Sequence, residues 1–325
     1  MRQLIVIGSG PAGYTAALYA ARADLRPLLI ASSVEAGGDL MNTTEVENFP
    51  GFPEGVIGPD LMDKMQRQAE KFGTDIVFDD VVSVDLTGDI KTVTLSSGEQ
   101  HQALAIVFAT GSAYRKLGLA DEDRLSGRGV SWCATCDGFF FRDRTVAVVG
   151  GGDSALEEAT FLTRFASKVY VIHRRDTLRA SKTMQDRALS NDKIEFVWNA
   201  EVTAIHGAES VTGVTLTDTV TGEASELPVE GLFVAIGADP RVHLVHGQLD
   251  LTPDGTIAVD GRSSRTNLSG VFAAGDVIDP TYRQAVTAAA SGTVAALDAE
   301  HYLTTLPGEL LRRATANTAD DLAAV

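Results

Sequence analysis

Cys133 and Cys136 are the only cysteines in 325 residues, and Ala134 and Thr135 separate them. A Cys-x-x-Cys pair can be half of a zinc site, a redox dithiol, or chemically idle. Zinc needs two further ligands. The nearest histidine pair, His243 and His246, is far along the chain and more closely spaced than zinc fingers use, so no metal site is expected. A redox dithiol needs a source of electrons, and the rest of the chain offers two. Asp137, next to Cys136, would protonate a departing thiolate if its surroundings raised its pKa. It could equally just open the Asp137–Gly138 turn, and the residues leave both roles open. Trp132, Phe139, Phe140 and Phe141 read as packing residues.

The elements that must position this pair are marked by glycine clusters. Leu4–Ile7 is a short apolar run of the kind a buried parallel strand shows. It enters Gly8-Ser9-Gly10-Pro11-Ala12-Gly13, then an alanine-rich helical stretch to about Ala23, then a second apolar run, Pro27–Ile30. This is the strand–turn–helix–strand order of a dinucleotide-binding turn. It recurs as strand Val146–Val149, turn Gly150-Gly151-Gly152-Asp153-Ser154-Ala155, helix Leu156 to about Phe165, and strand Val169–Ile172. The interval from Gly8 to Ile30 equals that from Gly150 to Ile172. One glycine-rich turn is weak evidence; two with matched spacing indicate duplicated dinucleotide-binding domains.

The tip of the second strand is where such folds read the adenosine ribose. In the second repeat that tip is His173-Arg174-Arg175-Asp176 with Arg179 beyond, which suits a 2′-phosphate through charge-assisted hydrogen bonds. The second site therefore reads as NADPH. In the first repeat the tip is Ala31-Ser32-Ser33, which cannot hold that phosphate the same way, and FAD is the natural candidate. Val271–Ala274 is a strand ending in Gly275-Asp276, whose acid can accept hydrogen bonds from the polyol of FAD. Tyr282-Arg283-Gln284-Ala285 then opens a long helix to about Leu303, whose N-terminus would favour the negative charge of reduced flavin.

The expected fold class is therefore α/β, with two Rossmann-like dinucleotide-binding domains, the NADPH domain inserted into a discontinuous FAD domain. The expected limits are 1–114 and 242–325 for the FAD domain, 115–241 for the inserted domain, and a frayed tail from about 307. The crossings fall after the glycine-ended strands Phe108–Gly111 and Val234-Ala235-Ile236-Gly237. Nicotinamide delivers hydride, flavin takes it and passes electrons to sulfur, and the dithiolate reduces an external disulfide by exchange.

Forty-four acids against 27 bases leave a net charge of −17, which argues against nucleic acid or a membrane surface as partner. Apolar runs break within about ten residues, short of the roughly 20 a span needs. The chain enters a strand pattern at once, so no export signal is expected, and two cysteines without one suit a reducing, cytoplasmic compartment. Arg124, Arg128, Arg142 and Arg144 outnumber Asp137 and Asp143 around the cysteine pair, a basic collar fitted to an acidic protein substrate.

The chain resembles the bacterial-type, low-molecular-weight thioredoxin reductases. The matching strings are Gly8-Ser9-Gly10-Pro11-Ala12-Gly13-Tyr14-Thr15-Ala16-Ala17, Thr43-Thr44-Glu45-Val46-Glu47-Asn48-Phe49-Pro50-Gly51, Cys133–Gly138, His173–Asp176, and Gly275-Asp276 with Tyr282–Ala285. The resemblance implies FAD, NADPH, thioredoxin as partner and a homodimer. It implies that Cys133 and Cys136 are the redox pair and Asp137 the acid, and that Asn48 and the Gly37-Gly38 loop contact FAD. It also implies a hinge motion that brings first the disulfide and then the nicotinamide to the flavin.

Three residues depart from the family pattern. Asp39 stands where Gln or Ala is frequent, and Ala238 and Pro280 stand where His is frequent. A flavin dithiol oxidase using oxygen would not need Arg174, Arg175 and Arg179. A ferredoxin-type reductase of this fold would lack the cysteines, and a peroxiredoxin-reducing flavoprotein would carry an extra N-terminal region. A non-catalytic NADPH-linked redox sensor would not need complete donor, flavin and dithiol sites.

Overall fold

Alternation along the first strand shows how the core is built. Leu4 and Val6 point to one face of their sheet and Ile5 and Ile7 to the other, and all four are buried. Each such side chain contributes roughly 1.5–3 kcal/mol relative to its exposed state. A strand covered on both faces needs apolar residues at every position, the reason Leu4–Ile7 is an unbroken run. The computed structural model describes residues 1–34, 36–42 and 45–314. Thr43 and Thr44 of the family string, and the chain from residue 315, lie outside the described residues.

The chain folds as two compact units, Met1–Ala113 with Asp239–Val325, and Tyr114–Ala238. The inserted unit thus runs from 114 to 238, against the expected limits of 115 and 241.

Among the described residues, the first unit is built on a seven-stranded sheet. Asp75–Phe78, Leu28–Ala31, Arg2–Ile7 and Gln100–Phe108 run parallel. Strand Gln100–Phe108 forks. Its first half pairs antiparallel with Lys91–Leu95 and its second half pairs parallel with Val271–Ala273. That fork returns the C-terminal segment of the chain to the sheet, beside the strand that follows Gly98. Helix Pro11–Arg22 packs on one face against helix Ala285–Thr304. The approach is close, because a Cβ on Gly292 would overlap the Ala12 carbonyl oxygen.

The segment expected to fray from residue 307 instead continues as helix over 308–314. Leu310 and Leu311 pack on the first unit's core and Ala314 is buried. Burial of these three side chains overrides the charged, alanine-rich composition that reads as loose.

The second unit has a five-stranded parallel sheet in the order Val130–Ser131, Gly231–Val234, Thr145–Val149, Lys168–His173, Ile194–Trp198. Beside it lies a three-stranded antiparallel sheet of Ala200–His206, Gly213–Asp218 and Ala224–Leu227. Helix Asp153–Leu162 follows the glycine turn.

Candidate active site

Cys133 and Cys136 are joined as a disulfide with their Cα atoms 5.3 Å apart. Strand Val130–Ser131 delivers the chain to Cys133, which is extended and caps the one-turn helix Ala134–Asp137. The Cys136 N–H donates to the Cys133 sulfur at 3.2 Å. Ala134 is buried while both cysteines are half-buried, so the sulfur pair is anchored on one side and reachable on the other. Gly138 closes the turn, and its lack of a side chain lets the backbone lie against Phe161, Leu162 and Phe165 at the end of helix Asp153–Leu162.

Ser131, which the sequence reading missed, organises this turn. Its hydroxyl donates to the Asp137 Oδ2 at 2.6 Å and accepts from the Cys133 N–H at 3.1 Å. Burial pushes the Asp137 carboxyl above the usual carboxylate range, and the Ser131 bond pulls it part of the way back. A serine two residues before Cys133 carries no motif, so only the fold reveals it. Phe141 is buried edge-on to Phe233, as a packing residue should be, but Phe139 and Phe140 are exposed. The Arg142 guanidinium lies 5.3 Å over the Phe139 ring. Trp132 stacks on Tyr114. All four arginines of the basic collar are exposed; Arg124 is engaged by Asp121 and by the carbonyls of Gly207 and Ala208, and Arg142 by the Phe139 ring.

The first glycine turn is shaped by close approach. Gly8 has φ +110°, which favours glycine, and a Cβ there would overlap the Ala109 carbonyl oxygen. A Cβ on Gly13 would overlap the Gly8 carbonyl oxygen, whereas Gly10 faces open space. Helix Pro11–Arg22 starts at Gly10 with no side-chain cap, so its first N–H groups are left to a ligand or water. Ser9 accepts from the Gly37 N–H at 3.0 Å, and Gly38 lies against Gly10. From the far end of the chain, Gly275 packs against Ala12. Asp39 and Asp276 therefore follow two segments that converge on one helix N-terminus.

Asp276 is pushed up to about 7, first by burial and then by the negative charges of Asp39 and Asp279; Arg283 and the Ser112 hydroxyl oppose this. Asn48 donates to Gln284 at 3.4 Å, and Gln284 forms a capping box with Thr287 that starts helix Ala285–Thr304. Gly111, with φ +70°, follows strand Gln100–Phe108. The sequence reading also missed Asp80, whose carboxylate accepts from the Ser33 hydroxyl and N–H at the ribose-reading tip. An acid there suits ribose hydroxyls and repels a 2′-phosphate.

The second glycine turn repeats the geometry with different side chains. A Cβ on Gly150 would meet the Ala235 carbonyl at 2.5 Å, Gly151 lies against the His173 ring, and Gly152 faces open space. Asp153 accepts from the Ser181 N–H and hydroxyl at 2.8 and 2.7 Å, which holds it below the usual carboxylate range. Ser154 is exposed on the next position. The Arg179 N–H donates to the Gly151 carbonyl at 2.8 Å, so the arginine loop is tied to the turn. Burial holds His173 below its ordinary value, helped by the charges of Arg179, Arg174 and Arg175 and opposed by its bond to the Thr177 carbonyl. Arg174, Arg175 and Arg179 are exposed. Beyond the end of strand Gly231–Val234, Ile236 is half-buried and Gly237 exposed, with Arg115 packed near Gly237.

These residues fit two dinucleotides. The uncapped helix start, the open face at Gly10 and the Asp276 carboxyl suit the diphosphate and polyol of FAD; the open face at Gly152 and three exposed guanidiniums suit NADPH.

The chain is similar to known proteins over nearly its whole length. The family profile of the pyridine nucleotide-disulphide oxidoreductases matches residues 2–292. A thioredoxin reductase of Streptomyces clavuligerus is 65% identical over 306 residues, covering 94% of this chain and 95% of the relative. A thioredoxin reductase of Streptomyces coelicolor is 62% identical over 309 residues, covering 95% and 96%. The crystal structure of thioredoxin reductase from Streptococcus pyogenes superposes with a TM-score of 0.89 at 42% identity, covering 94% of this chain and 99% of that one. The chain belongs to the pyridine nucleotide-disulphide oxidoreductase family and, at this identity over this length, to its thioredoxin reductases.

Proposed function

We propose that this chain reduces the disulfide of thioredoxin at the expense of NADPH. The observation that carries the reading is the Cys133–Cys136 disulfide set beside a desolvated, Ser131-bonded Asp137 carboxyl, in the same unit as the Gly150–Gly152 turn and its arginines. The first unit holds FAD through Gly8, Ser9, Gly10, Pro11, Ala12, Gly13, Gly37, Gly38, Asp39, Asn48, Gly111, Gly275, Asp276, Arg283, Gln284 and Ala285. The second holds NADPH through Gly150, Gly152, Asp153, Ser154, His173, Arg174, Arg175, Arg179, Ile236 and Gly237.

Bound FAD supplies the two-electron relay between hydride and disulfide chemistry. The chain's own groups do the rest. The helix starts at Pro11 and Asp153 orient the two diphosphates with main-chain N–H groups. Arg174 and Arg175 select the 2′-phosphate. Two electrons open the Cys133–Cys136 disulfide to two thiolates, and Asp137, its protonated form favoured by burial, gives its proton to one of them, which leaves one thiol and one thiolate. One thiolate then attacks the thioredoxin disulfide. The mixed disulfide is resolved by the second cysteine, which leaves thioredoxin reduced and Cys133–Cys136 oxidised again.

The protein works as a homodimer in the cytoplasm. Exposed Tyr19, Val294 and Leu297 on two helices of the first unit offer an apolar face to a second copy. No described helix is long and apolar enough to cross a membrane.

The test is anaerobic turnover of Cys136→Ser. NADPH should still bleach the flavin while thioredoxin reduction disappears. Thioredoxin turnover at the wild-type rate in that variant would reject the reading.

A further inference from the structure

The arginine pair lies on an exposed turn, and two guanidiniums held in register with one phosphate need a rigid support. Strand Lys168–His173 ends just before Arg174. Two carbonyls of the turn are bound by other parts of the same unit. The Thr219 hydroxyl donates to the Arg174 carbonyl at 3.1 Å, and the Asn199 N–H donates to the Arg175 carbonyl at 3.4 Å. These two supports are joined, because the Thr219 N–H donates to the Asn199 carbonyl at 2.7 Å.

Thr219 follows strand Gly213–Asp218 and opens the hairpin turn to Ala224–Leu227. That turn is stiff for a local reason. The Asp218 carboxylate accepts from the N–H groups of Val220 and Thr221 at 2.7 and 2.8 Å, and the Gly222 N–H donates to the Asp218 carbonyl at 2.8 Å. Among the described residues, no ion pair holds the Arg174 or Arg175 side chain, so the main chain decides where both start.

We propose that Thr219 is a positioning residue for the 2′-phosphate: through the Arg174 carbonyl, hairpin 218–222 sets the Arg174–Arg175 turn and with it the choice of NADPH over NADH. The inference rests on assigning this unit to NADPH. Thr219 touches no nucleotide in this scheme. Its loss frees the turn, and a displaced guanidinium loses a directional, charge-assisted bond.

Thr219→Val removes the donor and keeps the shape, while Thr219→Ser keeps the donor. Calorimetric titration of the FAD-loaded protein with adenosine 2′,5′-bisphosphate and adenosine 5′-monophosphate separates the phosphate contribution from the rest. T219V should weaken the bisphosphate by roughly three- to ten-fold, the equivalent of about one hydrogen bond, and leave the monophosphate within about two-fold. T219S should bind both as the wild type does. In turnover, T219V should raise the KM for NADPH by the same factor at unchanged kcat. Unchanged bisphosphate binding in T219V, or a parallel loss of both probes, overturns the inference while leaving the NADPH assignment in place. A wild-type protein that binds the two probes equally removes that assignment, and the inference with it.

Discussion

Ser131 donates its hydroxyl to Asp137 at 2.6 Å while taking the Cys133 N–H on the same oxygen. One side chain thus fixes both the carboxyl beside the disulfide and the backbone that carries the first sulfur. The acid and the cysteine pair cannot drift apart without breaking a buried serine's bonds, which is what a proton donor to a newly formed thiolate requires.

The Asp137 carboxyl is raised by burial and lowered by Ser131. Activity that uses its protonated form falls as pH rises through that raised value. Asp137→Asn should lower kcat for thioredoxin reduction by roughly 10²- to 10⁴-fold and abolish this limb, with NADPH-dependent flavin bleaching intact. Ser131→Ala removes the bond that favours the carboxylate, so the limb should move to higher pH. A downward move in the pH profile of S131A would contradict the assignment.

Asp276 is pushed from 3.8 up to about 7. The folded flavin-free chain therefore takes up a proton that the unfolded chain does not hold between those values. Its contribution to stability is complete below the unfolded value, declines as pH rises toward about 7, and is constant above. Urea unfolding across pH should show this decline in the flavin-free wild type and its loss in Asp276→Asn. Asp39→Asn removes the second-largest cause, so its decline should end at a lower pH. Identical profiles in all three proteins would show that Asp276 does not titrate there.

Two glycines that look alike in sequence should respond differently to alanine. At Gly13 the new Cβ meets the Gly8 carbonyl oxygen, so backbone must move. Gly13→Ala should cost about 1–3 kcal/mol of stability and leave the purified protein poor in flavin. At Gly152 the space is open. Gly152→Ala should unfold within about 0.5 kcal/mol of wild type and keep its flavin, yet show a raised KM for NADPH, because in the proposed site the added methyl would stand where the diphosphate approaches. Thermal melts, flavin absorbance per chain and NADPH kinetics measure all three.

Much of this protein was legible in consecutive residues. The two glycine turns, the apolar runs before them, the Cys133–Cys136 pair and the Arg174–Arg175 tip are local patterns, and short-range sterics and side-chain chemistry suffice to read them. What lies across the fold was not. Asn48 meets Gln284 and Asp39 acts on Asp276 only because the forked strand Gln100–Phe108 brings the C-terminal segment back beside the first glycine turn. In Phe139–Phe141, three identical residues part company because a tight helical turn sends Phe141 alone into the core. The same holds for Ser131 and Thr219, ordinary hydroxyls whose partners are chosen by how strand ends and hairpins meet. Amino-acid type and spacing determined which groups could carry electrons, phosphate and protons. Tertiary structure decided which of them are buried and which fields they feel, because desolvation and through-space charge depend on segments that chain order does not place together.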